Sequence, residues 1–154
     1  MPVLPPVTKS LLLACGLVYL LQNLLGEVAF LPFMLWPAGD YALGYHQGQM
    51  LTVGFLPWQL FTYGLMHGST THLLFNLLAL YMFGADIERV FGPRRYLLYV
   101  LFCVAGAGLI QLMVATAAAQ GGEAYPTVGI SGGVFGVLLA FGMLFPNRQV
   151  MLLI

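Results

Sequence analysis

Apolar runs that approach 20 residues most constrain the fold of this chain, because about 20 apolar residues in a helix span the hydrocarbon core of a bilayer. Hydrophobic residues make up 60% of the 154 positions and charged residues only 6%, whereas about a quarter of the residues in a soluble domain are charged. We therefore predict an all-α fold, a polytopic bundle of transmembrane helices in a single domain over residues 1–154. The predicted spans are residues 10–30, 72–88, 95–118 and 128–145, and a fifth span opens at 149–154.

The positive charges lie on one side of this predicted bundle. In the other two loops, the only charged residues are acidic, namely Glu27, Asp40 and Glu123. Because lysine and arginine favour the cytoplasmic side, we predict a cytoplasmic N-terminus and place the two acidic loops outside. Five basic residues are too few to form a nucleic-acid-binding stripe, so we expect no nucleic-acid partner. The basic residues lie before the first span, between the second and third, and after the fourth: Lys9, Arg89, Arg94, Arg95 and Arg148.

The N-terminus has two possible interpretations. Lys9 precedes a short apolar run that ends at Cys15, which superficially resembles a cleaved signal sequence. That run is shorter than the 7–15 apolar residues of a signal peptide, and the hydrophobicity continues to Leu25, so we favour a retained first span. Cys15 and Cys103 both fall inside predicted spans, where a small apolar packing role is more typical of cysteine than a disulfide.

The connection from residue 26 to residue 71 is long and has no clear periodicity. Connections of this kind are usually functional or disordered, and this one is too apolar for disorder. Tryptophan concentrates at membrane–water interfaces, so we predict that the connection lies in the interfacial zone. Its aromatic residues include Phe30, Phe33, Trp36, Phe55 and Trp58.

Three polar side chains are predicted to share one depth in the outer half of the membrane. Ser131 opens the fourth span, about 22 Å from its inner end at ~1.5 Å per residue. His72 and Asn76 open the second span, and their spacing of four residues puts them on one helix face. Polar groups at such a depth usually face a water-filled cavity. A serine is a weak nucleophile without a neighbouring base, whereas histidine and asparagine are hydrogen-bond donors suited to a developing oxyanion.

Simpler structural interpretations remain open for each of these residues. Gly129, Gly132, Gly133 and Gly136 form small-xxx-small pairs, which commonly let helices pack closely. Asn76 alone is compatible with an interhelical hydrogen bond, and His72 alone with a helix anchor at the interface. Their occurrence at one depth favours a functional site.

Four segments then resemble the rhomboid intramembrane serine proteases. His67 to Asn76 resembles the H-x4-H-x3-N signature of that family, and Gly129-Ile130-Ser131-Gly132 resembles its nucleophile motif. Glu88 to Gly92 resembles the E-x3-G segment after its second helix, and Pro57 to Thr62 resembles the end of its first outer loop. The resemblance covers nearly the whole chain.

The resemblance implies a role for each matching residue. Ser131 would be the nucleophile, and His72, Asn76 and the backbone N–H of Ser131 would form the oxyanion hole. His67 would steady the outer loop, and Gly129 and Gly132 would support the nucleophile. Family members cleave transmembrane helices near their outer ends, which implies single-span membrane proteins as substrates. It also implies a multi-pass protein of the bacterial inner membrane, with no metal and no other cofactor.

Two positions depart from the family pattern. Gln59 follows Trp58 where the family commonly has arginine, which puts the anchoring of the first loop in question. Phe135 stands where many members have a tyrosine that stacks on the catalytic histidine, so the aromatic face is kept and the hydroxyl is lost.

The 154 residues contain no well-placed base that would activate the serine. No histidine follows Ser131, and His46 and His67 are poorly placed for that task. We expect a longer protein with a histidine roughly 45–60 residues after Ser131, at about 20 residues per span, and an inactive product if that histidine is absent. A non-catalytic relative that binds transmembrane helices is the alternative. A channel or transporter is weakly supported, because the acidic residues all lie near predicted interfaces.

Overall fold

The computed structural model describes residues 3–120, 122 and 124–149. Glu123 and residues 150–154 of the predicted fifth span lie outside this range. The described part is mostly helical. Its elements are α1 (Pro6–Leu25), a 3-10 helix (Glu27–Phe33), β1 (Tyr41–His46), β2 (Gln49–Val53), α2 (Gln59–Thr62), a 3-10 turn (Tyr63–Leu65), α3 (Thr70–Ala79), a π-helical turn (Leu80–Gly84), α4 (Ala85–Phe91), α5 (Pro93–Ala119) and α6 (Ser131–Leu144).

The first helix is shifted from the predicted span at 10–30. It begins at Pro6, because proline suits the first turn of a helix, where its missing N–H costs nothing. It ends at Leu25, because Gly26 adopts φ +82° and turns the chain into the separate 3-10 helix. Residues 27–30 are therefore outside α1.

The second predicted span, 72–88, lies within a continuous run from Thr70 to Phe91 formed by α3, the π-helical turn and α4. Gly92, with φ +78°, makes the corner to α5, and Pro93 starts that helix. The Gly92 N–H donates to the carbonyl of Glu88 (2.8 Å), and the Gly92 carbonyl accepts from the N–H of Tyr96 (3.0 Å). This corner ends the preceding run and brings α4 into contact with α5 (Pro93–Ala119).

The core lies between α5 and α6, with α1 against the run from α3 to α4. Small residues of α6 allow close packing. A β-carbon at Gly132 would lie 2.5 Å from Cβ of Ala107, and one at Gly133 would lie 3.0 Å from Cγ2 of Val104. These glycines therefore have the packing role that small-xxx-small spacing indicates, whatever their part in a site.

A β-hairpin departs from the all-α prediction. Strands β1 and β2 pair antiparallel, with Tyr45 opposite Met50, and the two-residue turn between them has positive φ at Gln47 and Gly48. Such turns match the right-handed twist of the strands and favour glycine. The Gln47-Gly48 pair between two β-prone stretches is the sequence signal for this hairpin, which the aromatic composition of the loop obscured.

The two ends of the bundle differ in chemistry. The serine end contains His67, His72, Gly129 and Ser131. The arginine end contains the start of α1, the segment from Asp86 to Arg95, and Arg148. Contacts between α3 and α6 hold the serine end together, and one ion pair joins Asp86 of α4 to Arg148 at the arginine end.

Two of the described helices, α1 with 20 residues and α5 with 27, are long and apolar enough to cross a membrane, and α6, with 14 residues, is a shorter apolar helix. On α1 and α5, exposed apolar side chains outnumber buried ones. Uncovered apolar helix faces of this extent are typical of helices that meet lipid.

Candidate active site

A serine cap fixes where α3 begins and so where His72 lies. The Ser69 hydroxyl accepts a hydrogen bond from the backbone N–H of His72 (3.1 Å), and the Ser69 carbonyl accepts from Leu73 (3.0 Å). Serine is among the preferred residues at this position because it satisfies an otherwise free N–H of the first turn. His72 is consequently in the first turn of α3, and Asn76 lies one turn further on the same face.

The ring of His72 packs directly against Gly129. A β-carbon at Gly129 would lie 2.5 Å from Cε1 and 2.8 Å from Nε2 of His72, and Gly129 has φ +120°. Only glycine tolerates both this conformation and this approach without strain. The contact brings the Nε2 edge of His72 to the segment that leads into Ser131.

Ser131 is the first residue of α6 rather than a residue inside it. The predicted span began at 128, but the backbone of Gly129 delays the helix, and the first bond of the turn runs from the N–H of Val134 to the carbonyl of Ile130 (3.0 Å). The N–H groups of Ser131 and its two successors therefore have no partner within the helix. A helix N-terminus with free N–H groups favours negative charge.

Asn76 is buried with a donor unused. Its side chain is 6% exposed, and its Nδ2 has no hydrogen-bond partner in the part of the chain that the structure describes. Leaving a buried amide unpaired costs about 1–3 kcal/mol. A buried donor that lowers stability in this way is a candidate for binding a ligand.

His67 is buried behind His72. It is 2% exposed, its ring lies 5.1 Å from the His72 ring in an edge-to-face arrangement, and neither ring nitrogen makes a well-formed hydrogen bond to a described residue. Burial, and secondarily the neighbouring His72, lowers the pKa of His67 from 6.5 to about 4. The side chain of Gln22 fixes its backbone, accepting from the N–H of His67 (3.1 Å) and donating to its carbonyl (3.4 Å).

Sequence reasoning missed Tyr63, which braces the serine loop. Its carbonyl accepts a hydrogen bond from the N–H of Gly129 (2.8 Å), and its hydroxyl donates to the carbonyl of Val104 (2.7 Å). A β-carbon at Gly108 would lie 2.9 Å from Cε1 of the Tyr63 ring. The residue thus ties the segment before Ser131 to α5, and no motif in the sequence marks it.

The family model for the Rhomboid domain matches residues 55–154, the segment that contains this whole arrangement. The chain belongs to the rhomboid family. Rhomboid protease GlpG of Klebsiella pneumoniae (strain 342) is 32% identical over 106 residues, and that of Enterobacter sp. (strain 638) is 29% identical over 106 residues. Each alignment covers 69% of this chain and 34% of the relative, so the chain spans about a third of the length of these curated relatives. Family membership makes this an integral membrane protein.

This rhomboid anchors its first loop through Gln59, at the position where arginine was expected. Gln59 is fully buried, and its Oε1 accepts from the N–H of Trp36 (3.2 Å). Its Nε2 donates to the carbonyls of Pro32 and Gly54 (both 3.2 Å). The neutral amide therefore links the 3-10 helix, the exit of the hairpin and α2 without burying a charge.

The remaining site residue of this rhomboid, Phe135, lies on an uncovered face. It is 71% exposed and stacks on no histidine in the described ranges. Leu139 and Met143 continue the same exposed stripe of α6 at intervals of four residues. The described residues also contain no cluster of three histidine, cysteine or acidic side chains able to hold a metal.

Proposed function

We propose that this chain carries the nucleophile and the oxyanion-binding groups of an intramembrane serine endopeptidase. One observation carries the proposal: His72 brings its Nε2 edge against Gly129 in the segment that opens on Ser131, and Asn76, one turn along the same face of α3, has a buried Nδ2 with no partner among the described residues. The curated relatives are rhomboid proteases by name. Hydrogen-bond donors next to a serine are more typical of an acyl-transfer site than of residues that only pack helices together.

The proposed reaction assigns a role to each group. Oγ of Ser131 attacks the scissile carbonyl carbon, and the carbonyl oxygen takes up the electron pair. The backbone N–H of Ser131, Nε2 of His72 and Nδ2 of Asn76 donate to that oxyanion, and one such donor is worth about 2.7–4 kcal/mol in a transition state. Collapse of the intermediate breaks the peptide bond and leaves an acyl ester on Ser131, which water then hydrolyses.

The hydroxyl proton needs a base that accepts it and returns it to the leaving amine. No described side chain hydrogen-bonds the Ser131 hydroxyl, and His67, with its pKa lowered to about 4, is a poor acceptor behind His72. We assign this task to a histidine on a later helix of the full-length protein. Supporting groups in the proposal are Gly129, which admits the His72 ring, and Gly132 and Phe135, which follow the nucleophile.

We further propose that α1, the run from α3 to α4, α5 and α6 each cross the bilayer, with the arginine end in the cytoplasm. The run from α3 to α4 covers residues 70–91 without a break, and its only charged residues lie at the arginine end. Positive charge favours the cytoplasmic side. The serine end then faces outward, so that the substrates are single-span membrane proteins cut near the outer ends of their helices.

A second candidate is a helix-binding protein that does not cleave. The observation in its favour is the exposed apolar stripe of α6 formed by Phe135, Leu139 and Met143. Such a protein would bind transmembrane segments as a chaperone or trafficking factor.

Fluorophosphonate labelling of the full-length protein tests the proposal. We expect label on Ser131 by peptide mapping, no label in Ser131→Ala, and unchanged label in the matched control Ser10→Ala, whose hydroxyl bonds only the carbonyl of Pro6. Cleavage of a transmembrane substrate should follow the same order. If the folded full-length protein takes no label but binds transmembrane peptides, the result would contradict the protease proposal and favour the helix-binding candidate.

A further inference from the structure

A groove on the lipid-facing side of α5 has an arginine at one end and apolar side chains along its length. Its volume is about 870 Å³, which is within the range of about 300–1,000 Å³ found for small-molecule sites. It follows α5 for ten residues, or about 15 Å at 1.5 Å per residue. Residues of α4, α5 and the first loop line it, including Phe61, Phe91, Arg95, Leu98, Phe102 and Ala105.

Arg95 is the arginine that lines the groove, and it forms no ion pair with a described acidic residue. Arg89 and Arg148 both pair with Asp86, at 2.9 Å and 2.7 Å. Glu88, the other acidic residue nearby, is buried and accepts hydrogen bonds from the start of α1. Arg95 and the adjacent Arg94 form no ion pair with a described acidic residue, and none lines the groove. The mouth of the groove is therefore positively charged.

We propose that this groove binds an anionic phospholipid from the leaflet at the arginine end. The phosphate lies against the guanidinium of Arg95, with Arg94 beside it, and an acyl chain follows Leu98 and Phe102 toward Ala105. The positive end of the α5 dipole, which begins at Pro93, adds to the attraction of the two side chains. A zwitterionic headgroup is a poorer occupant, since no carboxylate at the mouth complements its cationic part.

Native mass spectrometry of the full-length protein in detergent tests this site. Phosphatidylglycerol and phosphatidylcholine with identical acyl chains are titrated in parallel. We expect phosphatidylglycerol to bind at least about fivefold more tightly, which is the effect of one basic residue close to an anionic headgroup. Arg95→Gln should abolish this preference. Lys9→Gln, which removes a positive charge at the same end but outside the groove, should leave it intact.

A second pair of variants tests the apolar part of the groove. Ala105→Trp fills the groove and should weaken the binding of both lipids by about tenfold. The matched control Ile110→Trp adds the same ring to an exposed position of α5 outside the groove and should change neither affinity. Equal affinity of the two lipids for the unaltered protein, an unchanged preference in Arg95→Gln, or equal effects of the two tryptophans would each overturn the site. None of these readouts requires proteolysis, so the site stands or falls independently of the proposed function.

Discussion

The serine end and the arginine end of the bundle differ in whether their buried polar side chains are hydrogen-bonded. At the arginine end, the buried carboxylate of Glu88 accepts hydrogen bonds from the N–H of Val7 (2.9 Å) and from both the N–H (2.7 Å) and the hydroxyl (2.8 Å) of Thr8. At the serine end, Asn76 and His67 are also buried, yet Nδ2 of Asn76 and the ring nitrogens of His67 make no well-formed hydrogen bond to a described residue.

Under the proposed function, this difference separates groups that hold the fold from groups that would bind a ligand. Glu88 ties α4 to the first turn of α1, where its charge also complements the positive end of the helix dipole. An unpaired buried donor lowers stability. Donors of this kind are typically found at functional sites. The hydroxyl of Tyr96 is an exception at the arginine end, since it also lacks a well-formed hydrogen bond to a described residue where it packs against Gly84.

The largest expected effect is at Glu88. Glu88→Ala removes the acceptor of three hydrogen bonds from Val7 and Thr8. Because each donor left unsatisfied costs about 1–3 kcal/mol, we expect the free energy of unfolding to fall by about 3–5 kcal/mol. Thermal unfolding in mild detergent measures this as a fall in Tm of roughly 6–20 °C. Glu27→Ala, at an exposed glutamate, should change stability by less than about 0.5 kcal/mol. Equal effects of the two variants would remove the structural role assigned to Glu88.

Asn76→Leu tests whether a buried polar group of the serine end contributes to activity rather than to stability. Because Nδ2 of Asn76 has no partner among the described residues, we expect an unchanged or higher Tm. Under the proposed function, cleavage by the full-length protein should fall by about 10²–10³-fold through loss of an oxyanion donor. Asn23→Leu is the control, since Asn23 is exposed and its Nδ2 bonds only the carbonyl of Tyr19. A clear loss of stability in Asn76→Leu with activity retained would make Asn76 a structural residue like Glu88.

His67 should give the serine end a pH dependence. The unfolded chain takes up a proton near pH 6.5, whereas burial lowers the pKa of folded His67 to about 4. The unfolded state therefore binds more protons between these values, and stability should fall as the pH falls through this window. We expect His67→Asn to reduce the slope of Tm against pH, while His46→Asn, in the exposed turn of the hairpin, leaves it unchanged. Identical slopes in all three proteins would contradict the lowered pKa.

The smallest effect is expected at the exposed ion pairs of the arginine end. Asp86→Asn removes both pairs, yet Arg89 and Arg148 are 41% and 50% exposed, and such pairs contribute about 0–1 kcal/mol. The difference in Tm between Asp86→Asn and the unaltered protein should shrink further in high salt. A loss comparable to that of Glu88→Ala would show that burial is not what separates the two carboxylates.

Much of the helical framework could be predicted from the sequence, because long apolar runs and the paucity of charge leave few alternatives to lipid-facing helices. The helix ends were harder to predict. They depend on single backbone angles, such as φ +82° at Gly26 and φ +120° at Gly129, which apolar periodicity does not encode. The hairpin was missed for a related reason, since its signal is a two-residue turn within a long aromatic loop.

The sequence by itself determined the rhomboid family, the helical class and the identity of the candidate site residues, because these depend on composition and on motifs within single segments. Only the tertiary structure decided that His72 meets Gly129, that Tyr63 braces the serine loop, and that Gln59 replaces an arginine as the anchor of the first loop. It also decided that Arg89 and Arg148 pair with Asp86, and that Arg95, which pairs with no described acidic residue, lines a groove. Most of these contacts join residues more than 20 positions apart in the chain, and no local pattern specifies which buried group will find a partner.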